Sequence, residues 1–194
     1  MYTMGKLDKQ TILLIGESGC GKTTVANYLQ DNYGYKILES YTTRKPRYHG
    51  EKGHIFITEE EYWDLPNKVA VTLFDNAYYC ATKEQVEDAD VYIIDPIGIE
   101  MLNQLYDGDN EFIKIHLYTS PQVRIERMKQ RGDSDKQCWE RIIHDINAFK
   151  TIGADVRFKA DNTSVHKIGN GIIDYVNRHN KSKQYFLGDV YEMD

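Results

Sequence analysis

At 194 residues and 41% hydrophobic content, the chain is long enough for one domain with an adequate buried core. A formal net charge of −6 excludes a broad nucleic-acid-binding surface, because such binding runs on Lys and Arg neutralising phosphates. No stretch approaches the roughly 18 consecutive apolar residues of a membrane span, and the scattered, odd-numbered Cys20, Cys80 and Cys138 form neither a metal-type pair nor a disulfide framework. The polar first ten residues lack the apolar centre of a signal peptide. The expectation is an unexported, cytoplasmic protein, monomer or homodimer, with no nucleic-acid or membrane partner.

Residues 11–15 (TILLI) form an apolar run ending at a glycine, which predicts a buried parallel strand. Residues 23–32 carry Val25, Ala26 and Leu29 at helical spacing. From about 40 to 88 the pattern changes to short strand-like pieces, HIFI and KVAVTLF, separated by turns, which predicts an inserted acceptor-binding subdomain. Residues 91–94 predict a second core strand, stopped at Asp95-Pro96 because proline cannot continue the ladder. Residues 112–117 alternate as a third strand and then meet Ser120-Pro121, a helix start. Helices are expected over 124–130 and 136–149, a last strand over 156–159 and a helix over 165–176. The tail after Lys181 is polar and acidic and is expected to be partly mobile. Strands alternating with helices predict an α/β fold, with a P-loop NTPase-type parallel sheet flanked by helices. The whole chain reads as a single domain, with its core at about 11–39 and 89–180.

Gly16-Glu17-Ser18-Gly19-Cys20-Gly21-Lys22-Thr23 matches G-x-x-x-x-G-K-[ST] in full, between a predicted strand and a predicted helix. Glycines let the backbone turn tightly and aim N–H groups at phosphates, and the helix N-terminus adds partial positive charge. Lys22 is the expected partner of the β and γ phosphates of ATP, and the Thr23 hydroxyl the expected Mg²⁺ ligand. Thr24, in the first helical turn, completes the expected ATP-binding set.

A second stretch, Ser40-Tyr41-Thr42-Thr43-Arg44-Lys45-Pro46-Arg47, puts three cations within four residues of an acidic chain. Arginines on a rigid loop can clamp a phosphate by bidentate bonding; a solvated, charged surface loop is an equal reading of these residues alone. Tyr78 and Tyr79, on the residues alone, read first as packing residues, since the chain holds 15 tyrosines. Arg124, Arg127 and Arg131 share a helical stripe, suited either to a phosphoryl-transfer site or to a solvated helix face.

The order of a G-x-S-G-x-G-K-[ST] loop, an S-x-T-T-R-x-P-R segment, a Tyr-Tyr pair and an I-D-P segment resembles the guanylate kinases, from about residue 11 to residue 162. The resemblance implies a P-loop nucleoside monophosphate kinase that passes the terminal phosphoryl group of ATP·Mg²⁺ to an acceptor such as GMP or dGMP. It implies that Ser40, Arg44, Arg47 and Tyr79 hold the acceptor's phosphate, with His54 where the family usually has tyrosine and Asp95 near acceptor and metal. It also implies a helical lid at about 124–150, in which Arg127, Arg131 and Arg141 close over ATP and act with Lys22 in catalysis. The positions that read guanine in the family fall at about Ala70 and Ala81, which cannot make those hydrogen bonds. A P-loop kinase for another (deoxy)nucleoside monophosphate or a phosphorylated sugar therefore stays open, as does a non-catalytic guanylate-kinase-like interaction module.

Overall fold

The computed structural model describes residues 9–46 and 48–189. Two sheets organise it. The first is built from β1 (Gln10–Ile15), β6 (Val91–Ile93), β7 (Glu111–Tyr118) and β8 (Val156–Lys159), all parallel, in the order β6-β1-β7-β8. The second is a smaller mixed sheet of β2 (Ser40–Thr42), β3 (His54–Phe56), β4 (Thr72–Phe74) and β5 (Ala77–Cys80), in the order β3-β2-β5-β4.

The parallel sheet is covered on both faces, so its central strand can be apolar throughout. In β1, Ile12 and Leu14 join one buried cluster with Ile113, Ile115 and Leu117 of β7. Helices α1 (Lys22–Tyr33) and α7 (Val165–Asp189) close that cluster through Val25, Ala26 and Leu29 and through Ile168, Ile172 and Val176. Leu13 and Ile15 point the other way. They pack with Tyr92, with Val86 of α3 (Lys83–Asp88), and with Ile99 and Leu102 of α4 (Pro96–Leu105). A third, small cluster, Met128, Cys138 and Ile142, locks α5 (Pro121–Gln130) to α6 (Asp135–Ala148).

Two of the shortest helices are held by local chemistry. Thr58 caps α2 (Glu59–Asp64) and Thr82 caps α3, each in a reciprocal capping box with the residue three positions on. The same device at Ser134 and Gln137 starts α6. Helix α7 runs on to Asp189, where sequence patterning predicts an end near residue 176 and a partly mobile tail after Lys181; no proline interrupts the segment.

Candidate functional site

The phosphate loop turns from β1 into α1 in a confined space. Gly16 has φ 150°, and a Cβ there would lie 2.2 Å from the Leu117 carbonyl oxygen. Gly19 has φ 80°, and its Cβ would lie 2.7 Å from the Arg124 carbonyl oxygen. Only glycine fits both constraints. Gly21 begins α1 in a left-handed conformation with no side-chain cap, so the first amides of the helix are left for a ligand. The Lys22 ammonium donates to the carbonyls of Gly16 and Glu17. Thr23 and Thr24 are exposed in the first turn of α1. Among the described residues, no cluster of three or more His, Cys, Asp or Glu could enclose a metal ion. The donors present suit Mg²⁺, which keeps waters and binds through substrate phosphates and one or two protein oxygens; the Thr23 hydroxyl would be that oxygen.

Helices α5 and α6 grip the loop. Arg124, 4% exposed, donates Nε–H to the Ser18 carbonyl at 2.8 Å and pairs through Nη2 with the buried Asp145 carboxylate. Asp145 in turn accepts the Ser18 amide at 2.8 Å. Arg127 lies nearby: its Nη1 is 3.3 Å from the carbonyls of Gly19 and Cys20, and its Nη2 donates to the Ala160 carbonyl at 2.8 Å. The start of α5 is tied down as well, since Asp161 accepts from the Thr119 hydroxyl and the Ser120 amide. These bonds hold the Asp161 carboxyl at about 2, below its ordinary 3.8.

The small sheet assembles a second set of polar groups. Ser40 Oγ and His54 Nδ1, on paired strands, are 2.9 Å apart. The Tyr79 ring meets His54 edge-on at 5.7 Å. Arg44 makes two bonds to Glu51, Nη2–Oε1 at 2.6 Å and Nη1–Oε2 at 2.9 Å, and its guanidinium lies over the Phe56 ring. Burial works against the Arg44 charge, but Glu51 and the adjacent Tyr79 outweigh it and push the guanidinium above its ordinary value. Asp95, at the carboxyl end of β6, caps α4 through the Gly98 amide at 2.7 Å and lies 3.4 Å from the Thr72 hydroxyl. Ser40, Arg44, His54, Thr72, Tyr79 and Asp95 line a cavity of about 190 Å³, walled also by Ala70, Phe74 and Tyr92. Ala81, 0% exposed, is packed in the core.

A wider groove of about 1810 Å³ continues from that cavity past Arg44 and Tyr79 to Thr23, and is closed on one side by Arg131 and Arg141. Arg131 donates twice to Asp133 Oδ2, at 2.9 and 2.6 Å, and Arg141 Nε lies 3.8 Å from the same oxygen.

The structure thus gathers Ser40, Arg44, His54, Tyr79 and Asp95 at one end of the groove, Thr23 along it, and Arg131 and Arg141 across it. It sets Arg127 apart, bonded to the loop's carbonyls and absent from the groove's lining. Arg47 lies outside the described residues. Glu51, Asp133 and Asp145, the carboxylates that fix these arginines, carry no signal in the one-dimensional pattern; each lies 2 to 21 residues from its cation. The capping boxes at Thr58 and Thr82, by contrast, are readable as T-x-x-E and T-x-x-Q.

Comparison with known proteins begins with fold. The guanylate kinase of Anaplasma phagocytophilum superposes with a TM-score of 0.58 at 17% identity, over 89% of this chain and 88% of that one. An unliganded sugar kinase from Janibacter sp. HTCC2649 does so with a TM-score of 0.52 at 15% identity, over 87% of this chain and 95% of that one. At such identities the likeness is one of fold, a P-loop kinase-like α/β fold with a parallel sheet flanked by helices. No curated protein matches the sequence. A family model described as an AAA domain matches residues 12–147, and this chain, with its complete phosphate loop between β1 and α1, belongs to that family.

Proposed function

We propose that the protein transfers the terminal phosphoryl group of ATP to a nucleoside monophosphate, with GMP or dGMP the leading acceptor. The observation that carries this reading is the single groove lined by Thr23, Arg44, Tyr79, Arg131 and Arg141. It can lay two polyanions end to end, as an in-line displacement requires. The small sheet, with residues 40–88, is the acceptor subdomain, and residues 124–150 form a lid on the single domain.

The Thr23 hydroxyl would hold Mg²⁺, which when bound would supply charge neutralisation on the transferring group. The chain's own groups do the rest. Lys22, released from the carbonyls of Gly16 and Glu17, moves to the phosphates; the free amides of α1 receive them. Ser40, Arg44 and Tyr79 hold the acceptor's phosphate, joined by Arg47, and Asp95 faces its base or sugar. That phosphate is mostly ionised at neutral pH, its second pKa being about 6, so no dedicated base is needed. Arg131 and Arg141 leave Asp133 to neutralise the migrating charge and, with the lid, exclude water.

A second reading keeps the reaction and changes the acceptor to another (deoxy)nucleoside monophosphate or a phosphorylated sugar. Ala70, 2% exposed in the cavity wall, and the buried Ala81 favour it, because neither can bond a base edge; the sugar kinase of similar fold fits the same idea. A non-catalytic interaction module is the reading from another class, and the intact phosphate loop weighs against it. A coupled ADP-release assay over ribo- and deoxynucleoside monophosphates and phosphorylated sugars decides among them. Turnover with GMP or dGMP supports the first reading, inert GMP and dGMP with another active acceptor the second, and ATP binding without turnover on any acceptor the third.

A further inference from the structure

The phosphate loop carries a carboxylate of its own. Glu17 is the second residue of a loop whose task is to bind a polyanion, and an unneutralised carboxylate there would repel the ligand. Its Oε2 is buried and lies 3.4 Å from Nε2 of His116 in β7, whose side chain is 7% exposed. Phe149 stacks on the other side of that imidazole, with centroids 6.0 Å apart and planes at 15°. Among the described residues, neither ring nitrogen of His116 makes a well-formed hydrogen bond. A buried imidazole whose nearest carboxylate is Glu17 is placed to hold that carboxylate in position.

We propose that His116 is a positioning residue for nucleotide binding: from β7 it holds the Glu17 carboxylate and keeps its charge turned from the phosphates of ATP. The inference rests on the reading that the loop binds a triphosphate, and it adds a residue from β7 to that site. The charged and titratable groups around the pair are few. On the loop, Lys22 donates to the Glu17 carbonyl at 3.1 Å. From α5, Arg124 acts on Glu17 through space, while the Asp145 of α6 that neutralises Arg124 also contacts His144, at 3.4 Å. On β7 itself, the Tyr118 ring is 6.3 Å from His116. Burial pushes the Glu17 carboxyl up, but His116, the loop's own backbone and Arg124 outweigh it and hold it below the ordinary carboxylate range. The carboxylate is therefore ionised, and its charge has to be met when phosphates arrive.

The test is a double-substitution cycle read by calorimetric titration of ATP·Mg²⁺. His116→Leu leaves Glu17 uncompensated and weakens ATP binding by about tenfold. Glu17→Gln removes the repulsion and costs much less, and the double variant recovers to near the Glu17→Gln affinity. His116→Asn, smaller and more polar, replaces His116→Leu where that variant fails to fold. Additive losses in the cycle overturn the role of His116 and leave the function reading intact. A native chain that binds no ATP overturns both.

Discussion

The phosphate loop is one run of eight residues between β1 and α1, whereas the end of the groove proposed for the acceptor, the acceptor end, is drawn from β2, β3, β4, β5 and the start of α4. The loop's shape comes from glycines that nothing larger could replace, at Gly16 and Gly19. The acceptor end depends on pairing: Ser40 with His54 and Arg44 with Glu51. A local site tolerates change elsewhere in the chain, while an assembled one can alter its ligand without altering its frame. That contrast accounts for an intact phosphate loop alongside alanines at 70 and 81.

The comparison is broken most severely at the loop. Lys22→Ala is expected to lower kcat by about ten-thousandfold with an unchanged melting temperature, measured by ADP release and thermal melting. The grip from behind comes next. Arg124→Leu leaves Asp145 buried without its cation, which costs about 3–5 kcal/mol of stability and lowers Tm by roughly 10 °C; the Arg124→Leu, Asp145→Leu pair is expected to lose less, in the same melts. At the acceptor end, Arg44→Ala should raise the acceptor KM by about a hundredfold while moving the ATP KM little, and Arg44→Lys should not restore it, because lysine cannot reproduce the planar fork. Steady-state kinetics with each substrate varied in turn checks that split.

How much of this was legible in one dimension follows the same division. The TILLI strand, the loop and the helix after it are contiguous, so pattern alone places them; the strand over 156–159 also matches β8. Helices α2 and α3 are six residues each, too short for periodicity to reveal, although their capping boxes were present to be read. The partners of the arginines were not readable, because a buried ion pair is a property of packing. Arg124 looks no different from Arg131 on a helical stripe, yet one is 4% exposed beside Asp145 and the other lies in the groove. His116 looked like one more residue of an alternating strand; only the fold sets it against Glu17.

Smaller effects are expected at the proposed lid. Asp133 holds Arg131 and stands near Arg141, so Asp133→Asn should free both and lower the ATP KM by about threefold, seen in initial-rate measurements. Asp161 gives the pH signature. Its carboxyl sits at about 2 in the folded chain against an ordinary 3.8. A lowered value means the ionised form favours folding, so its contribution is complete above the ordinary value and is lost as pH falls towards about 2. Acid titration of stability should therefore show a shallower loss between pH 3.8 and about 2 in Asp161→Asn than in the native chain.

Phosphorus NMR of ATP·Mg²⁺ mixed with each acceptor, using native and Lys22→Ala protein, observes the transfer itself. The expected result is a diphosphate resonance on one nucleoside monophosphate, GMP or dGMP foremost, growing as ATP is lost, and absent with Lys22→Ala. Native protein that binds ATP yet converts no acceptor in the panel, or a Lys22→Ala variant that converts one at the native rate, would contradict the account.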